Sequence, residues 1–454
     1  MTMFKRMAAA LLGLLALLAL FLLASRFWPA SAMQKQARAA LEQPLDWPGA
    51  NAWALLETLD HDGLDMAQRQ ALVDERVQAF ELWAKATAAQ RYGNGSAVED
   101  VPAVPELAVA PPAALPALEY CRYGSLETCL ATVRSNPEGV AADMQARADL
   151  IRNIAGLADF EHARSPYVAD IDSPMLNTMG RLPTPLAAHA LAHVQGNSAA
   201  ALEGLCRDMG SARMLASQSD NLFLTVVGAR WLQANGQLLA HVLAELPADV
   251  TPPANCKAGL EILPPAAISL CRPLQGQYAM NAAVNGHHDA TVMAEHPVGS
   301  WLFDLDKTLN RQAASLGAAC QMPLQQRIAQ DLPVDGGLAP AEARSPWHIE
   351  CATNYIGCVL SAIAAPAYDK YIVRMQDVAA SQRLLGAWLW LREHPGDGDV
   401  ARQLAQLPQE LRSAHRPVQL NADGTALEVV RYYTGEGNDL LQLPLPTADK
   451  AAVQ

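Results

Sequence analysis

Residues 7–24 read MAAALLGLLALLALFLLA, eighteen apolar residues without a charge, and this run constrains the chain more than any other feature. A helix of that length reaches about 27 Å, close to the thickness of the hydrocarbon core of a bilayer. Lys5 and Arg6 precede the run, and Arg26, Phe27 and Trp28 follow it. Flanking basic residues hold an end in the cytoplasm, and Phe and Trp favour the membrane–water boundary. The run is therefore expected to be a single-pass inner-membrane anchor, with a cytoplasmic N-terminus and residues 33–454 in the periplasm. The alternative is a signal segment cleaved after Ala32, because Ala30-Ser31-Ala32 has the small-residue pattern of a cleavage site. That alternative leaves a soluble periplasmic chain.

The cysteines fit export. All eight (Cys121, Cys129, Cys206, Cys256, Cys271, Cys320, Cys351, Cys358) lie beyond the apolar run. An even number in an exported chain implies disulfides. No Cys-x-x-Cys occurs, which removes thioredoxin-like redox chemistry and zinc ribbons. The close spacings suggest two local bridges, Cys121–Cys129 and Cys351–Cys358. Each requires a break in helix between its cysteines, since residues seven or eight apart on one helix stand about 10–12 Å apart. The other four are expected to pair as Cys206–Cys256 and Cys271–Cys320.

A chain of 454 residues accommodates a sizeable core. Its formal net charge of −13 argues against nucleic acid, which selects basic surfaces. Residues 33–96 read as a helical stalk, opened by Asp65 with Gln68 at the capping-box position and ended by Gly93-Asn94-Gly95. Residues 97–118 hold five prolines and read as an extended linker. From 119 to about 415 helix follows helix. Asn136-Pro137-Glu138 starts one, with Val140, Met144, Ala148, Ile151, Ala155 and Ala158 as its buried stripe. Thr184-Pro185 starts another, which Gly196 ends. Asn197 opens a helix to about Asp208. A further pair spans 221–234 and 237–246, broken at Asn235-Gly236. Residues 247–275 read as a Pro-rich stapled loop, and the strongest helix runs from about 366 to 393. Residues 416–454 then change to period two, with β-formers on both sides of Asn421-Ala422-Asp423-Gly424. This is a hairpin signal, with LLQLPLP as a further edge strand. The expected fold is mostly α: an N-terminal transmembrane helix, stacked helical hairpins of α-solenoid type and a small C-terminal β-hairpin.

Three clusters carry possible chemistry. WLFDLDKTLN, residues 301–310, resembles the first motif of the haloacid dehalogenase-type phosphatases, in which an apolar strand ends at a nucleophilic Asp beside Mg²⁺. The resemblance implies Asp304 as nucleophile and Asp306 as its partner acid. The family also needs a Ser or Thr, a Lys and an acidic pair, each after its own strand. The best candidates here are Ser361, Lys370 and Asp397/Asp399. Ser361 and Lys370 leave no room for a βα unit between them. The competing reading is a capped helix start, with Asp306 or Thr308 as N-cap. Second, NGHHDATVMAEH holds His287, His288, Asp289, Glu295 and His296. His288, Asp289 and His296 are its candidate metal ligands, with Asp289 and His296 on one helical face. Third, His189 and His193 form an i, i+4 pair, expected on the surface opposite Leu186, Ala190 and Val194. No nucleophile elbow, phosphate loop or dinucleotide fingerprint is present.

Residues 354–377, NYIGCVLSAIAAPAYDKYIVRMQD, with TLNRQA at 308–313 ahead of them, resemble uncharacterised single-pass helical envelope proteins of proteobacteria. Asn354, Gly357, Tyr371, Arg374 and Asp377 carry the resemblance, which spans the C-terminal third and implies no activity. The sequence reading is therefore a non-catalytic, membrane-anchored protein that binds a protein partner in the periplasm, either as an assembly scaffold or as an effector-immunity protein, with no cofactor. The alternative is a Mg²⁺-dependent phosphatase built on Asp304 and Asp306.

Overall fold

The computed structural model describes residues 2–92, 101–113, 115–176, 180–289, 299–334, 345, 347–395, 399–435 and 439–446. Gly93-Asn94-Gly95, Glu295, His296, Asp397 and the tail from 447 lie outside these. The architecture is mostly helical with one small antiparallel sheet near the C-terminus.

Helix α1, Thr2–Arg26, carries the apolar run. Its best 18-residue window has a mean hydropathy of 2.7 and none of that window is buried. By length and composition the helix is apolar enough to cross a membrane. Helix α2, Ala32–Leu41, starts at a complete capping box between Ser31 and Gln34. Helix α3, Met66–Tyr92, follows a second box, in which Asp65 and Gln68 exchange backbone-to-side-chain hydrogen bonds of 2.9 Å each. These boxes satisfy N–H groups that a helix start leaves without partners.

The segments read as stalk and linker are not free of the main body. Trp53, Leu55, Leu59, Val73 and Phe80 belong to the same buried cluster as the later helices. The Pro-rich stretch is extended, as its composition requires, yet it is strapped down along its length. His61 Nε2 meets the Val109 carbonyl at 2.8 Å, Arg76 donates to Pro105 O at 2.9 Å and Trp83 to Pro102 O at 2.8 Å. Arg147 also donates to Pro116 O. Proline removes donors and leaves carbonyls, and side chains of the helical body supply the missing hydrogens.

The expected helix from Pro137 is two helices, Pro137–Ala146 and Ala148–Ala155. The break falls at Arg147, which leaves helical geometry as its guanidinium reaches Pro116 O. The centre is built by α4, Thr184–Val194, α5, Ser198–Ser217, and α6, Leu222–Ala244. Helix α6 runs unbroken through Asn235-Gly236, where the sequence suggested two helices. Asn235 is buried and donates to Trp231 O one turn back at 2.9 Å. At Gly236 an added Cβ would meet Leu385 at 3.0 Å. This glycine permits helix–helix approach and does not stop the helix. Gly228 does the same more tightly, since a Cβ there would stand 2.8 Å from Ala216 N.

Helix α7, Cys271–His288, and α8, Leu305–Leu316, lead to α9, Tyr355–Glu393, which begins about three turns earlier than its apolar period indicated. The C-terminal half of α9 is core: Ile372, Met375, Ala379 and Trp388 are buried. The expected hairpin is a three-stranded sheet in the order β1-β2-β3, with β1 Gln419–Leu420, β2 Ala426–Val430 and β3 Leu440–Pro444. Leu427 faces Leu443 and Val429 faces Leu441, which puts the buried alternate residues of two strands on one face. Trp388 Nε1 donates to Pro444 O at 2.6 Å and fastens the sheet to α9.

The cysteines form four disulfides, Cys121–Cys129, Cys206–Cys256, Cys271–Cys320 and Cys351–Cys358. Both local bridges cross a change of structure, from turn to 3₁₀ to helix in the first and from 3₁₀ turn to α9 in the second. The two long bridges join residues 50 and 49 apart. On the chain-entropy account each removes about 4 kcal/mol of freedom from the unfolded chain.

Candidate functional site

The residues of WLFDLDKTLN converge on the end of the N-terminal helix. Gly299–Leu302 is a short helix and Phe303 is buried. Asp304 is in extended geometry, and its side chain accepts the Lys307 N–H, so Asp304 is the N-cap of α8. The cap stands two residues before the nearer expected position, Asp306, because the helix starts at Leu305 and its third residue is Lys307. Among the described residues before Asp304, Gly299–Leu302 is helical and no strand leads into Asp304.

Every polar residue of the motif has a partner. Asp304 pairs with Arg26 at 2.8 Å, and Asp306 pairs with Arg38 of α2 at 2.5 Å. Lys307 Nζ donates to the carbonyls of Ser25 and Arg26, at 2.6 and 2.8 Å. These belong to the last turn of α1, where carbonyls lack helical partners and a cation is favoured. Burial pulls the Lys307 ammonium below its ordinary value, and Asp304 beside it opposes the fall. Ser25 is fully buried, accepts the Thr353 N–H at 3.0 Å and lies 2.9 Å from Thr353 Oγ1. Thr308 Oγ1 is 2.8 Å from the Asp304 carbonyl and 3.1 Å from Asn354 Oδ1. Asn354 Oδ1 also accepts the Asp304 N–H at 2.8 Å.

Gly357 makes this junction possible. A Cβ there would lie 1.8 Å from Thr308 Oγ1 and 2.5 Å from Asn354 Oδ1. Below the junction, Arg311 and Glu350 form a buried ion pair, and the Cys351–Cys358 bridge closes the turn that carries Thr353. Together these groups make a collar around Ser25 and Arg26. A cleft of about 300 Å³ opens beside it, lined by Arg26, Trp28, Asp304, Asp306, Lys307 and Glu350 among others.

Only part of the candidate metal-ligand set lies among the described residues. His288 ends α7 and Asp289 is exposed, and His296 lies outside what is described. The one ligand-like group among the described residues is Glu350, Cys351 and Cys358, and its two sulfurs are bonded to each other, so neither is a thiolate.

His189 and His193 differ from expectation, for both are buried. His189 Nε2 meets Asp208 at 2.8 Å, and it crosses α5 where Gly204 has no side chain; a Cβ there would stand 2.3 Å from its ring. His193 Nδ1 meets Ser198 Oγ at 2.8 Å and its Nε2 meets Glu245 at 2.9 Å. Burial pushes the Glu245 carboxyl up, but Arg134 and His193 outweigh it and leave it below the usual range. A Ser-His-Glu chain was not visible in the sequence, since Glu245 arrives from the far end of α6. Ser198 is the first residue after the α4–α5 turn, five residues from His193, and the three residues line neither cavity described here. The arrangement locks a helix turn.

An open groove of about 620 Å³ lies between the Pro-rich strap and the helices at 137–155. Asp60, Asp149, Arg122, Arg147, Arg181 and Tyr123 are among its walls. No protein-family model matches the chain, and neither a curated protein nor a solved structure matches it.

Proposed function

We propose that the chain is a non-catalytic interaction protein, held at the inner membrane by α1, with its stacked helices in the periplasm. What carries this reading is the use made of Asp304 and Asp306. Each is paired with an arginine of the N-terminal segment, and neither follows a strand. In the phosphatase pattern the nucleophilic Asp closes an apolar strand, whereas here Asp304 caps a helix and pairs with Arg26, and Asp306 pairs with Arg38 of α2. Ser25 and Arg26 are bound to Thr353, Lys307 and Asp304, which supports a retained anchor over cleavage at Ala32. Four disulfides suit an oxidising compartment. The open groove of mixed charge offers a partner surface, and the acidic balance of the chain favours a basic partner. Scaffold and effector-immunity roles both fit.

The test has two parts. Full-length protein with Asp304→Asn and without it is assayed with a phosphomonoester and Mg²⁺. Both are expected to match the protein-free rate; hydrolysis that disappears in Asp304→Asn would overturn the reading. Cross-linking in native envelopes is then expected to capture one dominant partner, and to lose it when the disulfides are reduced.

A further inference from the structure

Several large exposed apolar residues lie beside the contacts that hold the end of α1, although others, such as Leu82, Met175 and Met322, lie elsewhere on the body. Trp301 is 64 % exposed and stands three residues before Asp304, which holds Arg26. Trp347 is 85 % exposed. It adjoins His348, whose ring packs edge-on against Trp28 with centroids 5.9 Å apart. Tyr355 is exposed and follows Asn354 of the collar. Leu360 and Ile363 continue the open side of α9, and Ile363 is 72 % exposed. Gly357, Cys358 and Ser361, on the other side of the same turns, are buried. From Tyr355 to Tyr368 there is no charged residue. The window of α9 that tests as apolar enough to cross a membrane is 29 % buried. The first turns of α9 are thus amphipathic in the inverted sense, with the apolar face turned outward.

A soluble protein rarely leaves several large apolar side chains together in water. Tryptophan and tyrosine favour the headgroup boundary, where the ring is sheltered and its polar edge stays wet. Helices with one apolar face lie in that boundary. The collar fixes Ser25 inside the body, so the end of a membrane-spanning α1 cannot be far from these residues. We propose that Trp301, Trp347, Tyr355, Leu360 and Ile363 form a lipid-facing sole, on which the periplasmic body rests against the outer leaflet of the inner membrane. This rests on the reading of α1 as a retained anchor. The body is then held at a fixed height and tilt, by an anchor and a surface contact together, and its groove faces a defined direction.

The experiment uses the full-length chain in liposomes of phosphatidylethanolamine and phosphatidylglycerol carrying brominated acyl chains, which quench nearby tryptophan emission. The chain is compared with Trp28→Phe, Trp301→Phe and Trp347→Phe. The three side chains are 40 %, 64 % and 85 % exposed, so phenylalanine is tolerated at each. Expected is that replacing Trp301 or Trp347 removes a share of the quenching comparable to that removed at Trp28. If only Trp28→Phe lowers it, the sole is absent although the anchor is in place, and the proposal is wrong. If Trp28 is itself unquenched, the anchor reading has failed and the sole falls with it.

Discussion

Arg416→Met is expected to lower stability by about 3–5 kcal/mol, the cost of leaving buried carboxylates without their cation. Arg416 is buried and donates to Asp331 Oδ1 at 2.7 Å, to Asp377 at 2.7 Å and to the Gln376 carbonyl at 2.7 Å. Its guanidinium carbon lies 3.9 Å from the centre of the Tyr432 ring. Asp377 also accepts the N–H groups of Tyr432 and Tyr433, at 2.9 and 3.0 Å. Asp331 has a positive φ of 53° and pairs with Arg383 as well. The arginine therefore binds α9, the loop at 331 and the entry to the sheet into one unit. Arg416→Lys recovers only part of the loss, because one ammonium cannot fork between two carboxylates.

The same group sets an acid limit. Burial pushes the Asp331 carboxyl up, but Arg416 and Arg383 outweigh it and hold it below its ordinary value. Its contribution is complete above the ordinary carboxylate range and is lost as pH falls through the depressed value. Urea denaturation at neutral pH checks the substitution. A change smaller than about 1 kcal/mol, the range of an ordinary surface substitution, would contradict this account of the network.

Lys307→Met is expected to loosen the N-terminal segment without unfolding the body. Methionine fills similar space and cannot donate, so the Ser25 and Arg26 carbonyls lose a charged partner. At about 2 kcal/mol for that loss, cleavage after Arg26 by trypsin in detergent rises roughly 30-fold. An unchanged cleavage rate would show that Lys307 does not hold the anchor.

How much of this was legible in the sequence depended on range. The caps at Asp65, Asn136, Asn197 and Asn221 were readable because each acts on an N–H two or three residues away. Local cysteine spacing was readable for the same reason. Arg26 and Asp304 lie 278 positions apart, and no local pattern joins them. The motif at 301–310 is a capped helix start, as the competing reading held, but that its charged residues also form a collar was not visible locally. His189 and His193 were misplaced because an i, i+4 polar pair resembles a solvated face; Asp208 and Glu245, from neighbouring helices, satisfy them inside. Gly236 was read as a stop because Asn-Gly ends helices in isolation. Its neighbour Leu385 is 149 residues away in the chain, on α9.

Asn354 and Gly357 meet Thr308 at the collar. Arg374 reaches Tyr433 Oη at 2.7 Å and Asp377 holds the backbone beside it. Asn354, Gly357, Arg374 and Asp377 thus sit at two joints, one at the end of α1 and one toward the sheet.

If residues 301–310 hold a retained N-terminal anchor, residues 1–32 stay on the mature protein. Intact mass of the protein extracted from bacterial envelopes tests it most directly. The account predicts a chain that retains residues 1–32 and stays with the membrane fraction. A mature chain beginning at Met33, which has lost Ser25 and Arg26 and leaves Asp304, Lys307 and Thr353 without them, would contradict it.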